Sequence, residues 1–185
     1  MKKIIGITGS IGSGKSYAVQ IFKRICEQNK INASFLDVDN IRRKILDKEN
    51  IDRVELNKKI YNSQDEMKKY KDFINPKIKE YLIKQINNTE GFIFIEWALL
   101  IEDGLYDLVD SIIMVRCEKE IQIKRLENGD LGKEEVIKRI NLQLTNEQKL
   151  EKVKQVKKEF YIIDTSNNPK NQEYESILRK EGLYE

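Results

Sequence analysis

The sequence of 185 residues contains no histidine, and only two cysteines, two prolines and one tryptophan. The absence of histidine excludes Ser-His and Cys-His catalysis and every metal site that needs an imidazole ligand. A general base must therefore be another group, with aspartate and glutamate as the natural candidates. The natural metal is a hard cation held by oxygens, above all magnesium. Cys26 and Cys117 stand in apolar or mixed surroundings, which favours buried reduced thiols over a disulfide.

Long apolar runs are also missing from the chain. No stretch approaches the roughly 20 apolar residues needed to span a bilayer, and the run after Lys2-Lys3 is too short for a signal peptide. Charged residues form 35% of the chain, and the net charge of +3 comes from basic residues interleaved with acidic ones. This pattern favours a solvated surface over a nucleic-acid-binding face. We therefore expect a cytoplasmic protein, a monomer or a weak homo-oligomer, that binds neither membranes nor nucleic acid.

Short apolar runs alternate with segments of helical periodicity along most of the chain. The apolar runs predict buried strands at 4–7, 33–39, 91–96, 111–115 and 160–164. Helical spacing predicts helices at 16–28, after the second strand, at 118–126 and at 133–149. Residues 50–88 are polar and mostly helical in period, with Pro76 as the one strong breaker, and predict a substrate-covering insertion. The alternation predicts a parallel sheet covered on both faces, a three-layer α/β/α fold, within a single domain over 1–185.

A phosphate-binding loop follows the first predicted strand and precedes the first predicted helix. Its sequence is Gly9-Ser10-Ile11-Gly12-Ser13-Gly14-Lys15-Ser16, which matches the full pattern in the required context. Gly12 and Gly14 permit backbone N–H groups to approach phosphate oxygens at a helix N-terminus. Lys15 is predicted to neutralise the β and γ phosphates of ATP, and the Ser16 hydroxyl to ligate magnesium.

Carboxylates stand at the ends of two predicted strands, where open α/β sheets bind ligands. Asp37 and Asp39 are predicted to lie on the same side of the second strand, because strand side chains alternate with period two. One of them is expected to accept the proton of an attacking hydroxyl or to hold a metal-bound water, and Asp39 is also a candidate helix cap. Glu96 ends the third strand and is expected to orient water around magnesium.

Arginine and glutamine pairs recur on the two helices that flank the turn Asn128-Gly129-Asp130. Gln122 and Arg125 are three residues apart, and Arg139 and Gln143 are four apart, so each pair is predicted to point from one helix face at a common site. Such arginines stabilise charge on the moving phosphoryl group and help to exclude water. The pattern therefore predicts a lid.

Several motifs together resemble the dephospho-coenzyme A kinase family over nearly the whole chain. They are Ile5 to Ser16, Asp37-Val38-Asp39 with Arg43, Ala98-Leu99-Leu100-Ile101-Glu102, Gln122 with Arg125-Leu126, Arg139 with Gln143, and Phe160 to Asp164. The loop alone identifies only the P-loop superfamily, whereas the complete set is much more specific. Departures from the family's pattern fall at Tyr17, Asn75, Ala98, Gly129 and Thr165, and Gly129 stands where a lid arginine is usual.

The resemblance implies a P-loop kinase fold and ATP-dependent phosphorylation of the ribose 3′-hydroxyl of dephospho-coenzyme A. It implies a core at 1–56, 89–117 and 144–185, a helical substrate-binding region at about 57–88 and a lid at about 118–143. The implied catalytic residues are Lys15, Asp39 as the base, and Arg139. The implied ATP-binding residues are Gly9, Ile11, Gly12, Ser13, Gly14, Lys15, Ser16 and Tyr17. Acceptor binding and the lid are assigned to Thr8, Asp37, Arg43, Glu102, Gln122, Arg125 and Gln143, and magnesium to Ser16 and, through water, Glu96.

Two other functions fit the same motifs. A kinase of another small acceptor, such as a nucleoside or a nucleoside monophosphate, uses the same loop, carboxylate and arginines. A nucleotide-binding protein without transfer activity also stays open, because Gly129 stands where a lid arginine is usual in the family. ADP formation with each acceptor separates the three functions.

Overall fold

A computed structural model describes residues 2–127, 129, 132–167 and 169–184. The chain divides into two compact units, the first formed by Met1–Leu36 with Glu90–Glu185 and the second by Asp37–Thr89. The predicted helical region at about 57–88 lies inside the second unit, which begins earlier in the sequence. No helix in the described part of the chain has the length and apolar character to cross a membrane.

The first unit is built on a five-stranded sheet with the spatial order β2-β3-β1-β4-β5. The strands are β1 (Lys3–Thr8), β2 (Ala33–Asp37), β3 (Phe92–Glu96), β4 (Ser111–Arg116) and β5 (Glu159–Asp164). Strand β1 pairs in parallel with β3 and β4, and β4 pairs in parallel with β5. The carboxyl ends of these strands therefore meet at one edge of the sheet, which is where ligands bind in open α/β folds.

The helices of the first unit follow the strands. They are α1 (Lys15–Gln28), α5 (Lys119–Leu126), α6 (Gly132–Asn141), α7 (Asn146–Gln155) and α8 (Asn171–Lys180), numbered along the whole chain. Helix α1 buries a stripe of apolar residues at helical spacing that includes Val19, Phe22 and Cys26. This stripe packs with Tyr174 of α8 against Ile5 of β1 and its neighbours.

The opposite face of β1 presents Gly6, because strand side chains alternate. A Cβ added at Gly6 would lie 2.6 Å from Leu100 Cδ2 and 3.2 Å from Val109 Cγ1. The segment between β3 and β4 therefore packs directly against the backbone of the central strand. The sheet is covered on both faces, as the sequence predicts.

The second unit contains three helices, α2 (Val38–Lys48), α3 (Arg53–Ile60) and α4 (Gln64–Asn87). Side chains cap each of them: Asp37 caps α2, Asp52 caps α3 and Ser63 caps α4. Helix α4 packs against both of the others. Its buried residues recur every four positions at Ile74, Ile78, Leu82 and Ile86, and form the apolar face of the unit.

Three predictions about the elements are wrong. The second strand ends at Asp37 and not at residue 39, because the Asp37 side chain caps a helix that starts at Val38. Pro76 lies inside α4 and does not end it. The helix predicted at 133–149 is two helices, α6 and α7, because Thr145 starts a new helix with a capping box. Helix α8 is not predicted from the sequence.

Candidate active site

The phosphate loop connects β1 to α1 and ends in a left-handed turn. Gly12 and Gly14 have φ values of 73° and 84°, which favour glycine because a Cβ is strained in this region. Gly14 is the N-cap residue of α1 and makes no side-chain hydrogen bond there. The first N–H groups of α1 therefore face the end of the sheet, where the helix dipole favours an anion.

Lys15 and Ser16 meet a single carboxylate at the mouth of the loop. Lys15 Nζ lies 2.9 Å from Glu96 Oε1, and the Ser16 hydroxyl donates to the same oxygen at 2.9 Å. Glu96 is the last residue of β3 and is in register with Ile7 of β1, which explains why it lies beside the loop. The lysine and glutamate side chains are only 11% and 15% exposed. A cation, a hydroxyl and a carboxylate are thus gathered where the sequence places the phosphates and the metal.

Two distant side chains bind the backbone of the loop. The Ile11 N–H donates to Gln143 Oε1 at 2.9 Å. The Thr165 hydroxyl donates to the Ser13 carbonyl at 2.6 Å, and Thr165 is buried at the end of β5. Both bonds use backbone groups of the loop itself, so they restrict its conformation.

Arg125 of α5 makes a third connection to the loop. Its Nη1 donates to the Gly12 carbonyl at 3.2 Å and to Thr165 Oγ1 at 2.9 Å, and its Nη2 donates to the Thr165 carbonyl at 2.8 Å. Helix α5 is close enough that a Cβ at Gly12 would lie 2.7 Å from Leu126 Cδ1. We refer to three residues as the loop braces: Arg125, Gln143 and Thr165.

The predicted pairs on α5 and α6 have different outcomes. Gln122 is buried, with its backbone oxygen 3.1 Å from the position of a Gly12 Cβ, so it lies beside the loop as Arg125 does. Arg139 and Gln143 do not share a helix face, because α6 ends at Asn141. Arg139 forms an ion pair with Glu135 at 2.9 Å, whereas Gln143 bonds the loop.

Of the predicted turn Asn128-Gly129-Asp130, the structure describes only Gly129. Its N–H donates to the Leu126 carbonyl at 3.0 Å. The neighbouring residues of the predicted turn, Asn128 and Asp130, lie outside the described residues.

The two aspartates of the second unit have different surroundings. Asp37 Oδ1 accepts the backbone N–H groups of Asp39 at 2.8 Å and Asn40 at 3.1 Å. Asp39 lies in the first turn of α2, where its carboxylate forms an ion pair with Arg42 at 3.2 Å and is 46% exposed. Arg43 Nε donates to the Asp39 carbonyl at 3.3 Å. The capping residue is therefore Asp37 and not Asp39, and the two carboxylates are not arranged as on a strand.

Lys149 and Glu102 form a buried ion pair. Only Glu102 is among the site residues predicted from the sequence. Lys149 Nζ lies 3.1 Å from Glu102 Oε1, and the two side chains are 0% and 9% exposed. Burial lowers the pKa of Lys149, and the nearby Glu102 carboxylate opposes this shift. Nothing in the sequence marks Lys149, because lysines on helices are almost always solvated. Thr8, also assigned from the sequence, is buried and donates to the Ala98 carbonyl at 3.2 Å.

The sheet is parallel, a glycine loop connects β1 to α1, and a lysine and a hydroxyl meet a carboxylate at the end of a strand. Together these features define a P-loop phosphotransferase. Two solved structures share the fold: TT1252 from Thermus thermophilus, with a TM-score of 0.76 and 21% identity, and shikimate kinase from Acinetobacter baumannii, with 0.58 and 14%. Each alignment covers 97% of this chain, with 95% and 93% of the other.

The family within this class follows from the sequence comparisons. Residues 3–159 match the model of the dephospho-CoA kinase family. A dephospho-CoA kinase from Listeria monocytogenes is 29% identical over 177 residues, which cover 82% of this chain and 86% of the relative. The chain belongs to the dephospho-CoA kinase family.

Proposed function

We propose that the protein transfers the γ-phosphoryl group of ATP to the ribose 3′-hydroxyl of dephospho-CoA, giving CoA and ADP in the last step of CoA biosynthesis. One observation supports the transfer chemistry above all: Lys15 and Ser16 of a complete phosphate loop both meet Glu96. The acceptor is inferred from the family, because the same loop serves many acceptors. We propose that the protein works in the cytoplasm on these two small molecules, as a monomer or a weak homo-oligomer, without nucleic acid or membrane.

The phosphates of ATP are proposed to bind at the N-terminus of α1. The helix dipole and the backbone N–H groups between Gly9 and Tyr17, apart from that of Ile11, which donates to Gln143, favour the negative charge. Lys15 would exchange its bond to Glu96 for bonds to the β and γ phosphates, where it stabilises charge in the transition state. Arg125 and Arg139 are proposed to add positive charge near the transferred group.

The oxygens of Ser16 and Glu96 fit magnesium, which prefers hard oxygen ligands and keeps several waters. In the described residues, no three His, Cys, Asp or Glu side chains group together as a metal cage, and magnesium in such kinases is held largely by substrate phosphates. Bound with ATP, the ion supplies charge neutralisation at the β and γ phosphates. Ser16 would ligate it directly, and Glu96 would accept hydrogen bonds from its water.

Asp39 is proposed as the general base that takes the proton of the acceptor hydroxyl. One oxygen of Asp37 is engaged in capping α2, whereas the Asp39 side chain projects from the first turn beside Arg42. This difference supports Asp39 over Asp37. Thr8, Asp37, Arg43, Glu102, Gln122 and Gln143 remain proposed contributors to the acceptor site or the lid.

The test is ADP formation from ATP and magnesium by the purified protein, with dephospho-CoA offered beside nucleosides and nucleoside monophosphates. We expect turnover with dephospho-CoA alone. Lys15→Met should lower kcat by at least about a hundredfold, as removal of a principal transition-state contact does. Turnover only with a nucleoside or its monophosphate would contradict the acceptor, and ATP binding without any turnover would contradict the transfer.

The base is tested with a matched pair of variants. Asp39→Asn should lower kcat by about a hundredfold or more, because general-base catalysis contributes about 10²–10⁴-fold. Asp37→Asn keeps an oxygen that can cap α2 and should change kcat much less. Loss of turnover only in the Asp37 variant would refute the assignment to Asp39.

A further inference from the structure

Lys149 is a buried charge that the proposed reaction does not use. Its side chain is fully buried on the first turn of α7, beside Glu102. Burying an ion pair costs desolvation that its mutual attraction often only balances, and replacing both members by well-packed apolar side chains of similar volume often gives equal or greater stability. Packing and stability therefore give no reason for a lysine here, and the role of the pair lies in what it positions.

The carboxylate of Glu102 also accepts a hydrogen bond. Besides Lys149, its Oε1 receives the Leu144 N–H at 3.3 Å. The residue before Leu144 is Gln143, whose amide oxygen accepts the Ile11 N–H of the phosphate loop. Two hydrogen bonds and the peptide bond between Gln143 and Leu144 therefore connect the ion pair to the backbone of the phosphate loop.

The connection between α6 and α7 is also held on the C-terminal side of this contact. After it, Thr145 begins α7 with a capping box, in which its hydroxyl accepts the Gln148 N–H at 3.3 Å and its own N–H donates to Gln148 Oε1 at 2.9 Å. Asn146 Nδ2 donates to the Cys117 carbonyl at 3.2 Å, at the end of β4. With Glu102 holding Leu144, the position of Gln143 is determined.

We propose that Lys149 is a positioning residue for phosphoryl transfer: through Glu102 and Leu144 it keeps Gln143 on the Ile11 N–H, and so keeps the phosphate loop in the conformation that binds ATP. The proposal rests on the proposed function and assigns Glu102 to the loop rather than to the acceptor. Lys149 and Glu102 need not touch either substrate in this role. A defect in the pair should therefore appear in ATP binding and leave acceptor binding unchanged.

The experiment separates the charge of Glu102 from its hydrogen bond to Leu144. Lys149→Met leaves the buried Glu102 carboxylate without its cation, and we expect the carboxylate to move as a result. The double variant Lys149→Met/Glu102→Gln, called Met/Gln below, removes both charges and keeps an acceptor for the Leu144 N–H. The double variant Lys149→Met/Glu102→Met, called Met/Met below, removes both charges and the acceptor. Its side-chain volume is nearly the same as that of Met/Gln.

We expect Lys149→Met and the Met/Met double variant to weaken ATP binding roughly fivefold to tenfold, the range for a lost hydrogen bond that orders a site. Gln143→Leu should show a similar loss. The Met/Gln double variant should recover most of the affinity lost in Lys149→Met. Adding Gln143→Leu to Met/Met should cause little further loss, because residues that act through one contact are not additive.

ATP affinity is measured by titration calorimetry, and KM for ATP and for dephospho-CoA by ADP formation. Calorimetry measures ATP affinity even if no acceptor is phosphorylated. Failure of the proposed function is therefore distinguished from failure of this inference. Lys3→Met is the control, since it breaks a partly buried pair, Lys3 with Glu181 at 2.6 Å, at the amino end of β1 and away from the phosphate loop. It should lower the unfolding temperature and leave ATP affinity unchanged.

Three results would overturn the inference. One is wild-type ATP affinity in the Met/Met variant while Gln143→Leu loses affinity. Another is a triple variant whose loss is the product of the separate losses, because Glu102 and Gln143 would then act independently. The third is a rise in KM for dephospho-CoA alone, which would instead assign Glu102 to the acceptor.

Discussion

Thr165→Val tests how strongly the end of β5 controls the phosphate loop. The Thr165 hydroxyl donates to the Ser13 carbonyl at 2.6 Å and accepts from Arg125 at 2.9 Å. Valine fills the same space without the hydroxyl. Thr165 is 3% exposed and Ser13 is 0% exposed, so the Ser13 carbonyl would be left in a dry environment, whereas the exposed Arg125 can bond water.

The expected loss is dominated by that buried carbonyl. An acceptor left unsatisfied in the interior costs about 1–3 kcal/mol, and we take about 2 kcal/mol for the free energy of unfolding. For a chain of this length, that loss lowers the unfolding temperature by about 4–8 °C. ATP affinity should fall severalfold in addition, because the released loop must be ordered when the phosphates bind.

Thermal unfolding by circular dichroism and ATP titration calorimetry measure the two effects. Thr165→Ser keeps the hydroxyl and loses only a methyl group, so it should retain ATP affinity. Thr89→Val, in the other unit, controls for the general effect of the substitution. If Thr165→Val binds ATP as the wild-type protein does and Thr165→Ser does not, the methyl group matters rather than the hydrogen bond, and the reasoning is refuted.

Two further predictions concern pH and magnesium. Burial raises the pKa of the Cys26 thiol from 9.0 to about 11. As the pH rises, the unfolded chain therefore loses this proton before the folded chain does. The free energy of unfolding falls by about 1.4 kcal/mol per pH unit between those two values. Urea unfolding between about pH 8 and pH 11 should show this slope in the wild-type protein and not in Cys26→Ala; equal slopes would contradict it. Glu96→Gln should raise the magnesium concentration needed for half-maximal turnover by about 10–100-fold, and an unchanged requirement would remove Glu96 from the metal site.

The strand pattern and the phosphate loop were predictable because local sequence determines them. Four apolar residues followed by Glu96 mark a buried strand that ends in an acid, and the structure has that strand at Phe92–Glu96. The loop pattern fixes the backbone between a strand and a helix. Gly12 and Gly14 indeed have the positive φ values that such a turn requires.

The errors arise where capping or tertiary packing overrides periodicity. The alternation through Asp37-Val38-Asp39 suggested a strand, but an aspartate that caps a helix is an equally local signal. Thr145-x-x-Gln148 is the sequence signature of a capping box and would have divided the helix predicted at 133–149. The capping contacts at both positions are present in the structure.

Pro76 and Lys149 are errors of another kind. A proline inside a helix costs about 3 kcal/mol, yet α4 continues through it because Ile74, Ile78, Leu82 and Ile86 bury one continuous face. The burial of Lys149 depends on Glu102, 47 residues earlier in the sequence, and no local pattern signals such a pair. Likewise, no periodicity indicates that Gln143 would bond the loop.

The loop braces also constrain the order in which the site forms. They lie 113, 132 and 152 residues after their partners in the loop. During synthesis, at about 5–20 residues per second, the glycine loop is made before its braces. A nucleotide that reaches the loop before the braces are in place should therefore bind more weakly than it binds to the folded protein.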